Sequence, residues 1–140
     1  MIKDSMPYLF FDRNCSDALA FYEKVLGAKV NEKHAYSTMG FPVPDADKDL
    51  VAHSSFTFAN KTFLAADFFA MGADSKLAKG NNVSIFLEVE GLDAFEKLCQ
   101  AFEKGGAQTL MPPFDSPWGS KYTKLVDPFG MIFELNCQLS

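Results

Sequence analysis

Long apolar runs are missing from this 140-residue chain. No stretch approaches the ~20 apolar residues that a membrane span needs. The N-terminus, MIKDSMPYLFF, has no basic segment leading into a long apolar one with a small-residue cleavage site, so no secretion signal is expected. Cysteine is scarce. Cys15, Cys99 and Cys137 are odd in number and form no CxxC pair, which points to reduced, mostly buried thiols and a cytoplasmic protein. No histidine stands in a recognisable motif around any of them, so none is expected to be catalytic. Clustered positive charge is missing too. Thirteen basic residues against 18 acidic ones leave a net charge of −5, and the basic residues are scattered. Nothing resembles a phosphate-binding stripe, so neither nucleic acid nor a membrane is an expected partner.

Phenylalanine, by contrast, is abundant. Fifteen phenylalanines in a chain that is 48% hydrophobic predict a large aromatic core, and the same residue types build apolar ligand cavities. The aromatic PYLFFD at 7–12 reads as a strand. In SDALAFYEKVLG, Ala18, Leu19, Phe21, Tyr22, Val25 and Leu26 fall on one helical stripe, with Ser16 and Asp17 as N-capping candidates and Gly27 as the stop. AKVNEKHAY follows as a strand, and GFPVPDADKDL at 40–50 as a surface loop. Residues 51–58 and 62–69 form a hairpin about Ala59-Asn60-Lys61. A loop over 70–82 leads to the strand NVSIFLEVE and the amphipathic helix GLDAFEKLCQAFEKGG. A short strand AQTLM, a proline-rich loop PPFDSPWGSKY, the strand YTKLV and a DPFG turn precede a last strand, MIFELNC. The order strand–helix–strand–strand–strand therefore occurs twice, in halves too small to bury a generous core alone. The expected organisation is a single domain of two modules, 1–70 and 82–140.

Strand alternation sorts the faces. In the hairpin, Phe56, Phe58, Leu64, Ala66 and Phe68 are expected on the helix side. The opposite parity carries His53, Ser55, Thr57, Phe63, Ala65 and Asp67. A turn centred on Asn60 sets His53 opposite Asp67, close enough for an imidazole–carboxylate hydrogen bond. In the later strands, Val83, Ile85, Leu87 and Val89, with Met131, Phe133, Leu135 and Cys137, form the core sets. Ser84, Phe86 and Glu88, with Ile132, Glu134 and Asn136, lie on the other face. Glu134, one carboxylate in an apolar strand, thus belongs to a possible pocket wall. Plainer readings stand beside this. His53 and Asp67 also suit a solvent-exposed pair worth ~0–1 kcal/mol, Glu134 suits an exposed strand position, and Trp118 with Gly119 and Tyr122 suits an end plug as well as a ligand contact.

Three stretches, PYLFFDRNCSDALAFYEKVLGAKV, HSSFTFANKTFLAAD and MPPFDSPWGSKYTKLVDPFGMIFEL, run through nearly the whole chain. They resemble the vicinal oxygen chelate superfamily of glyoxalase I, bleomycin-resistance proteins and extradiol dioxygenases, and within it the PhnB-like branch. The resemblance implies an α+β fold of two βαβββ modules with curved mixed sheets, a small molecule held in a cup between the sheets, and a homodimer. Metal-dependent members place one ligand on the first and last strand of each module. Carried onto this chain, those positions fall near Pro7, Ala65, Ser84 and Glu134, and only Glu134 offers a strong donor. No metal and no other cofactor is therefore expected. The branch is often labelled demethylubiquinone methyltransferase-like, but no glycine-rich loop follows the first strand and no acidic residue is placed for a ribose, so a methyltransferase is not expected.

The expected function is metal-free binding of an unknown small molecule by Phe11, His53, Ser55, Phe63, Asp67, Ser84, Phe86, Trp118, Tyr122 and Glu134. The alternative is a metal-dependent lyase, isomerase or dioxygenase, or a His53–Asp67 base acting on a proton beside a carbonyl, with His53, Asp67 and Glu134 as catalytic candidates. A third reading is a regulatory subunit whose dimer surface is its function. Fold alone does not choose among them.

Overall fold

The structure is a computed structural model that describes residues 1–69 and 76–140. The chain divides into two compact units, Met1–Ala78 and Lys79–Ser140. Each is a curved, mixed four-stranded sheet with one helix, and together they give the two-module βαβββ architecture. The loop expected over 70–82 lies partly outside the described residues; 76–84 carry neither helix nor strand.

The N-terminal unit contains β1 (Tyr8–Phe11), α1 (Cys15–Leu26), β2 (Lys29–Ala35), β3 (Val51–Phe58) and β4 (Lys61–Asp67), in sheet order β1-β4-β3-β2. β1 runs parallel to β4 and the other pairs are antiparallel. Helix α1 follows its apolar stripe: Ala18, Leu19 and Tyr22 are buried, and Gly27 closes it at φ 67°. Its start differs from expectation. Asn14 is the N-cap residue, no side chain of its own turn caps it, and the carboxylate of Asp67 accepts from the Cys15 amide instead, at 2.9 Å. The loop at 40–50 contains a short 3₁₀ turn, Asp45–Asp47.

The hairpin between β3 and β4 corrects the expected register. Its turn has two residues, Ala59 and Asn60, both at positive φ (49° and 61°), as hairpins of this length require. Phe58 pairs with Lys61 and Ser54 with Ala65, so β4 is displaced by one residue from the arrangement expected about Asn60. A slip of one residue turns every side chain of a strand over. Ser54, Phe56 and Phe58 therefore share the helix side with Phe63, Ala65 and Asp67. The Phe63 ring stacks on Phe56 and Phe58 at 5.4 and 4.9 Å, and Phe56 stacks on Tyr22 of α1 at 5.5 Å. Leu64 and Ala66 fall on the other face, with His53 and Ser55.

The C-terminal unit repeats the topology with β5 (Ile85–Glu88), α2 (Leu92–Lys104), β6 (Gln108–Asp115), β7 (Ser120–Val126) and β8 (Ile132–Gln138), in order β5-β8-β7-β6. Here the expected parity holds along β8, whereas Val83, expected in the core, is 76% exposed because it precedes β5 and is not held by its ladder. Phe133, Leu135 and Cys137 are at most 1% exposed, and Phe133 meets Phe102 of α2 at 5.1 Å. Phe95 and Phe102, seven residues apart, are the buried side chains of α2. Burying a phenylalanine fully stabilises by about 1.5–3 kcal/mol, so these rings anchor the helix. Strand β6 runs through Pro112 and Pro113, where a loop was expected. It is an edge strand with register irregularities at Met111 and Phe114, and an edge tolerates residues that cannot donate to a ladder.

Candidate functional site

Both units line the sheet face away from the helix with polar and aromatic side chains. In the N-terminal unit this face carries Tyr8 and Phe10 of β1, Glu32 and His34 of β2, and His53 and Ser55 of β3. Tyr8 Oη lies 2.8 Å from His53 Nδ1, and His53 Nε2 lies 3.2 Å from Glu32 Oε1. His34 Nε2 approaches the other oxygen of Glu32 at 3.4 Å, so one carboxylate stands between the two histidines of the chain. A proton on His53 Nε2, facing Glu32, leaves Nδ1 to accept from the Tyr8 hydroxyl. Tyr8 also stacks on Phe10 at 4.7 Å, and burial raises its phenol above the ordinary value.

Three sequence-predicted residues are not on this face. Phe11 is fully buried on the helix side, with its ring 6.4 Å from that of Tyr22. Phe63 joins the Phe56–Phe58 stack. Asp67 is 2% exposed, and its carboxylate accepts from the backbone amides of Cys15 at 2.9 Å and Val51 at 2.8 Å. It ties the start of α1 to the start of β3 and cannot partner His53, which faces the other way. The Tyr36 hydroxyl donates to the Asp67 carbonyl at 2.8 Å and completes this knot. Burial, with the nearby Asp67 charge, pushes the Cys15 thiol to about 12, in keeping with an inert core cysteine.

The C-terminal unit brings its predicted residues together. Glu134 sits in β8 beside Phe86 of β5, its register partner, and next to β7. Ser84 Oγ donates to Glu134 Oε2 and Tyr122 Oη to Oε1, each at 2.5 Å. These hydroxyls, Ser84 first and Tyr122 second, hold the carboxyl below its ordinary value against the opposing effect of burial. Tyr122 is pushed up to about 12, by burial and then by its bond to Glu134. Trp118 Nε1 donates to Asn136 Oδ1 at 3.3 Å, while the Asn136 amide donates to both oxygens of Glu88 and to Ser120. Phe86 and Trp118 remain 54% and 59% exposed. The arrangement is an ionised carboxylate set among neutral donors and open aromatic surface.

Residues 7–135 match the model of the Glyoxalase/Bleomycin resistance protein/Dioxygenase superfamily. The chain belongs to this superfamily. Among its relatives, Protein YjdN of Escherichia coli (strain K12) is 23% identical over 93% of this chain and 92% of its own length. Protein PA1353 of Pseudomonas aeruginosa superposes with a TM-score of 0.79 at 24% identity, covering 98% of both chains. A PhnB protein from Bacillus cereus superposes at 0.77 with 18% identity, over 96% of this chain and 99% of its own. The fosfomycin resistance protein FosX of Mesorhizobium loti superposes at 0.64 with 15% identity, over 98% and 93%.

Within this glyoxalase-superfamily chain, the four strand positions that would hold a divalent ion do not fit one. The Pro7 carbonyl accepts the Leu64 amide at 2.9 Å, and Ala65 is fully buried on the helix side. Ser84 and Glu134 do meet, but the serine hydroxyl is a weak ligand and both carboxylate oxygens already accept hydroxyl hydrogens. Among the described residues, no three His, Cys, Asp or Glu side chains converge in a metal-binding group.

Tyr8, Glu32, His34 and Asn136 were missed as site residues. Glu32 and His34 carried a signal, since they alternate two apart in NEKHA and pair with Ser55 and His53. Tyr8 had none, because each parity of YLFF, Tyr8-Phe10 and Leu9-Phe11, carries large hydrophobic side chains. A further concavity of about 620 Å³ in the N-terminal unit is lined by Tyr36, Leu50, Phe68 and Phe69, and its Arg13 and Asp47 already pair with each other.

Proposed function

We propose that this superfamily member binds a small organic molecule on the open face of its C-terminal sheet, and does so without a divalent metal. One observation carries the reading. Glu134, the one strong donor among the expected ligand positions, is engaged at both oxygens by Ser84 and Tyr122, beside the exposed rings of Phe86 and Trp118. A few placed polar groups within aromatic surface are what a small-molecule site requires. FosX of Listeria monocytogenes has a structure with Mn(II) and sulfate; the corresponding expectation here is met by one carboxylate whose two oxygens already accept hydroxyl hydrogens. Metal analysis of the purified protein tests the reading. Far less than one equivalent is expected, and about one equivalent of a divalent metal that survives dialysis overturns it.

A second reading, an acid–base enzyme of the same superfamily, is favoured by the contacts of His53 with Tyr8 and Glu32. The Tyr8 hydroxyl would exchange a proton with substrate while His53 takes or returns one, and Glu32 would stabilise the imidazolium. His53→Ala abolishes turnover under this reading and leaves binding on the C-terminal face intact under the first. Three free thiols suit a reducing cytoplasm, and family resemblance supports a homodimer. Light scattering of the purified chain reads the oligomeric state, and a monomer at micromolar concentration overturns that part.

A further inference from the structure

The C-terminal face has a second property that narrows its ligand. Phe114, Trp118 and Tyr122 meet edge to face in all three pairings, with centroids 5.6–6.4 Å apart and interplanar angles of 75–82°. Trp118 is 59% exposed, so ring surface remains open for a ligand. The faces of these rings carry the negative end of their quadrupoles and attract cations. Beside them stand two carboxylates, Glu134 and Glu88. Their hydrogen-bond partners are neutral: two hydroxyls for Glu134 and the Asn136 amide for Glu88. Such partners orient a carboxylate without cancelling its charge. Among the described residues, Lys124, the cross-strand neighbour of Glu134, is the cation that acts on it, and its influence ranks behind the hydroxyls and burial.

An anion would meet two carboxylates here. A neutral aromatic molecule would cover the rings but strip water from charged groups without replacing it, which is unfavourable. A cation satisfies both features. We propose that the ligand of this face is an organic cation, a protonated or quaternary amine on an aromatic or apolar body, held by the rings of Trp118 and Phe86 and by the charges of Glu134 and Glu88. This rests on the small-molecule reading above and names its ligand class.

Trp118 is the sole tryptophan of the chain, so its fluorescence reports on this site directly. The test titrates the full-length protein with benzyltrimethylammonium, benzyl alcohol and benzoate at equal ionic strength. Saturable quenching is expected with the ammonium, binding at least about ten-fold weaker with the alcohol, and none with benzoate. Glu134→Gln should weaken the ammonium about ten-fold and leave the alcohol unchanged. Should that variant fail to fold by circular dichroism, Glu88→Gln at an exposed position supplies the same comparison with a smaller expected loss. Equal or tighter binding of the alcohol or benzoate overturns the cation inference while leaving small-molecule binding intact. Absence of saturation with all three probes also overturns it. Failure of the parent reading is separate and shows as bound metal.

Discussion

In the N-terminal unit the carboxylate of the last strand, Asp67, faces the helix; in the C-terminal unit that of the last strand, Glu134, faces away from it. Both units have the same strand order, the same parallel first pair and one helix. Asp67 is buried and receives two backbone amides, so it fastens three elements together. Glu134 is partly exposed and receives two side-chain hydroxyls, so it holds a charge at a surface. Within one topology, a carboxylate on one side of the sheet ties the backbone together and on the other side stands as a charge among hydroxyls. What decides is strand parity together with the groups it meets.

Substitution can break this contrast. Asp67→Ala leaves two buried amides without an acceptor and should destabilise the chain by about 3–5 kcal/mol, read by urea denaturation. A loss below about 1 kcal/mol would mean that Asp67 is not structural. Glu134→Gln keeps the shape and should cost no more than about 1 kcal/mol at neutral pH. Its signature lies in the pH dependence. The folded-state carboxyl titrates below the ordinary 4.5, so its stabilisation is present above that value and fades as pH falls through the lower folded one. Wild type and variant should therefore converge in acid, and a constant gap would contradict the hydroxyl-stabilised carboxylate.

Smaller effects sharpen the comparison. Ala59 is held at φ 49°, a conformation that costs an alanine energy, so Ala59→Gly should stabilise the N-terminal hairpin by about 0.5–1 kcal/mol in a thermal melt. The thiols of Cys15 and Cys99 are pushed up to about 12 and about 11, mainly by burial, so both are protonated at pH 8. Ellman's reagent should react slowly with the folded protein and fully only after unfolding; rapid labelling of one thiol would reveal an activated cysteine.

The fold was readable from element order because each unit repeats the same helix pattern and glycine stops. The C-terminal face was readable for a related reason. In MIFELNC and NVSIFLEVE one parity is wholly apolar, so Glu134, Ser84 and Phe86 had only one place to go. The N-terminal face was not. In β4 both parities, Phe63-Ala65 and Leu64-Ala66, are apolar, and only the number of turn residues fixes which side packs on the helix. Taking three turn residues where there are two moved Asp67 onto the open face and hid the actual partners of His53, which are Tyr8 of β1 and Glu32 of β2. Phe11 was misassigned because its neighbour Phe10 is equally aromatic, and no composition rule separates them.

Strand β6, at the outer edge of the C-terminal sheet, carries Pro112 and Pro113 in an exposed row. Two consecutive residues there have no amide hydrogen to offer, and the ladder is already irregular beside them. An incoming strand from another molecule would find a gap where it needs donors, so this border resists sheet-to-sheet aggregation through its own backbone.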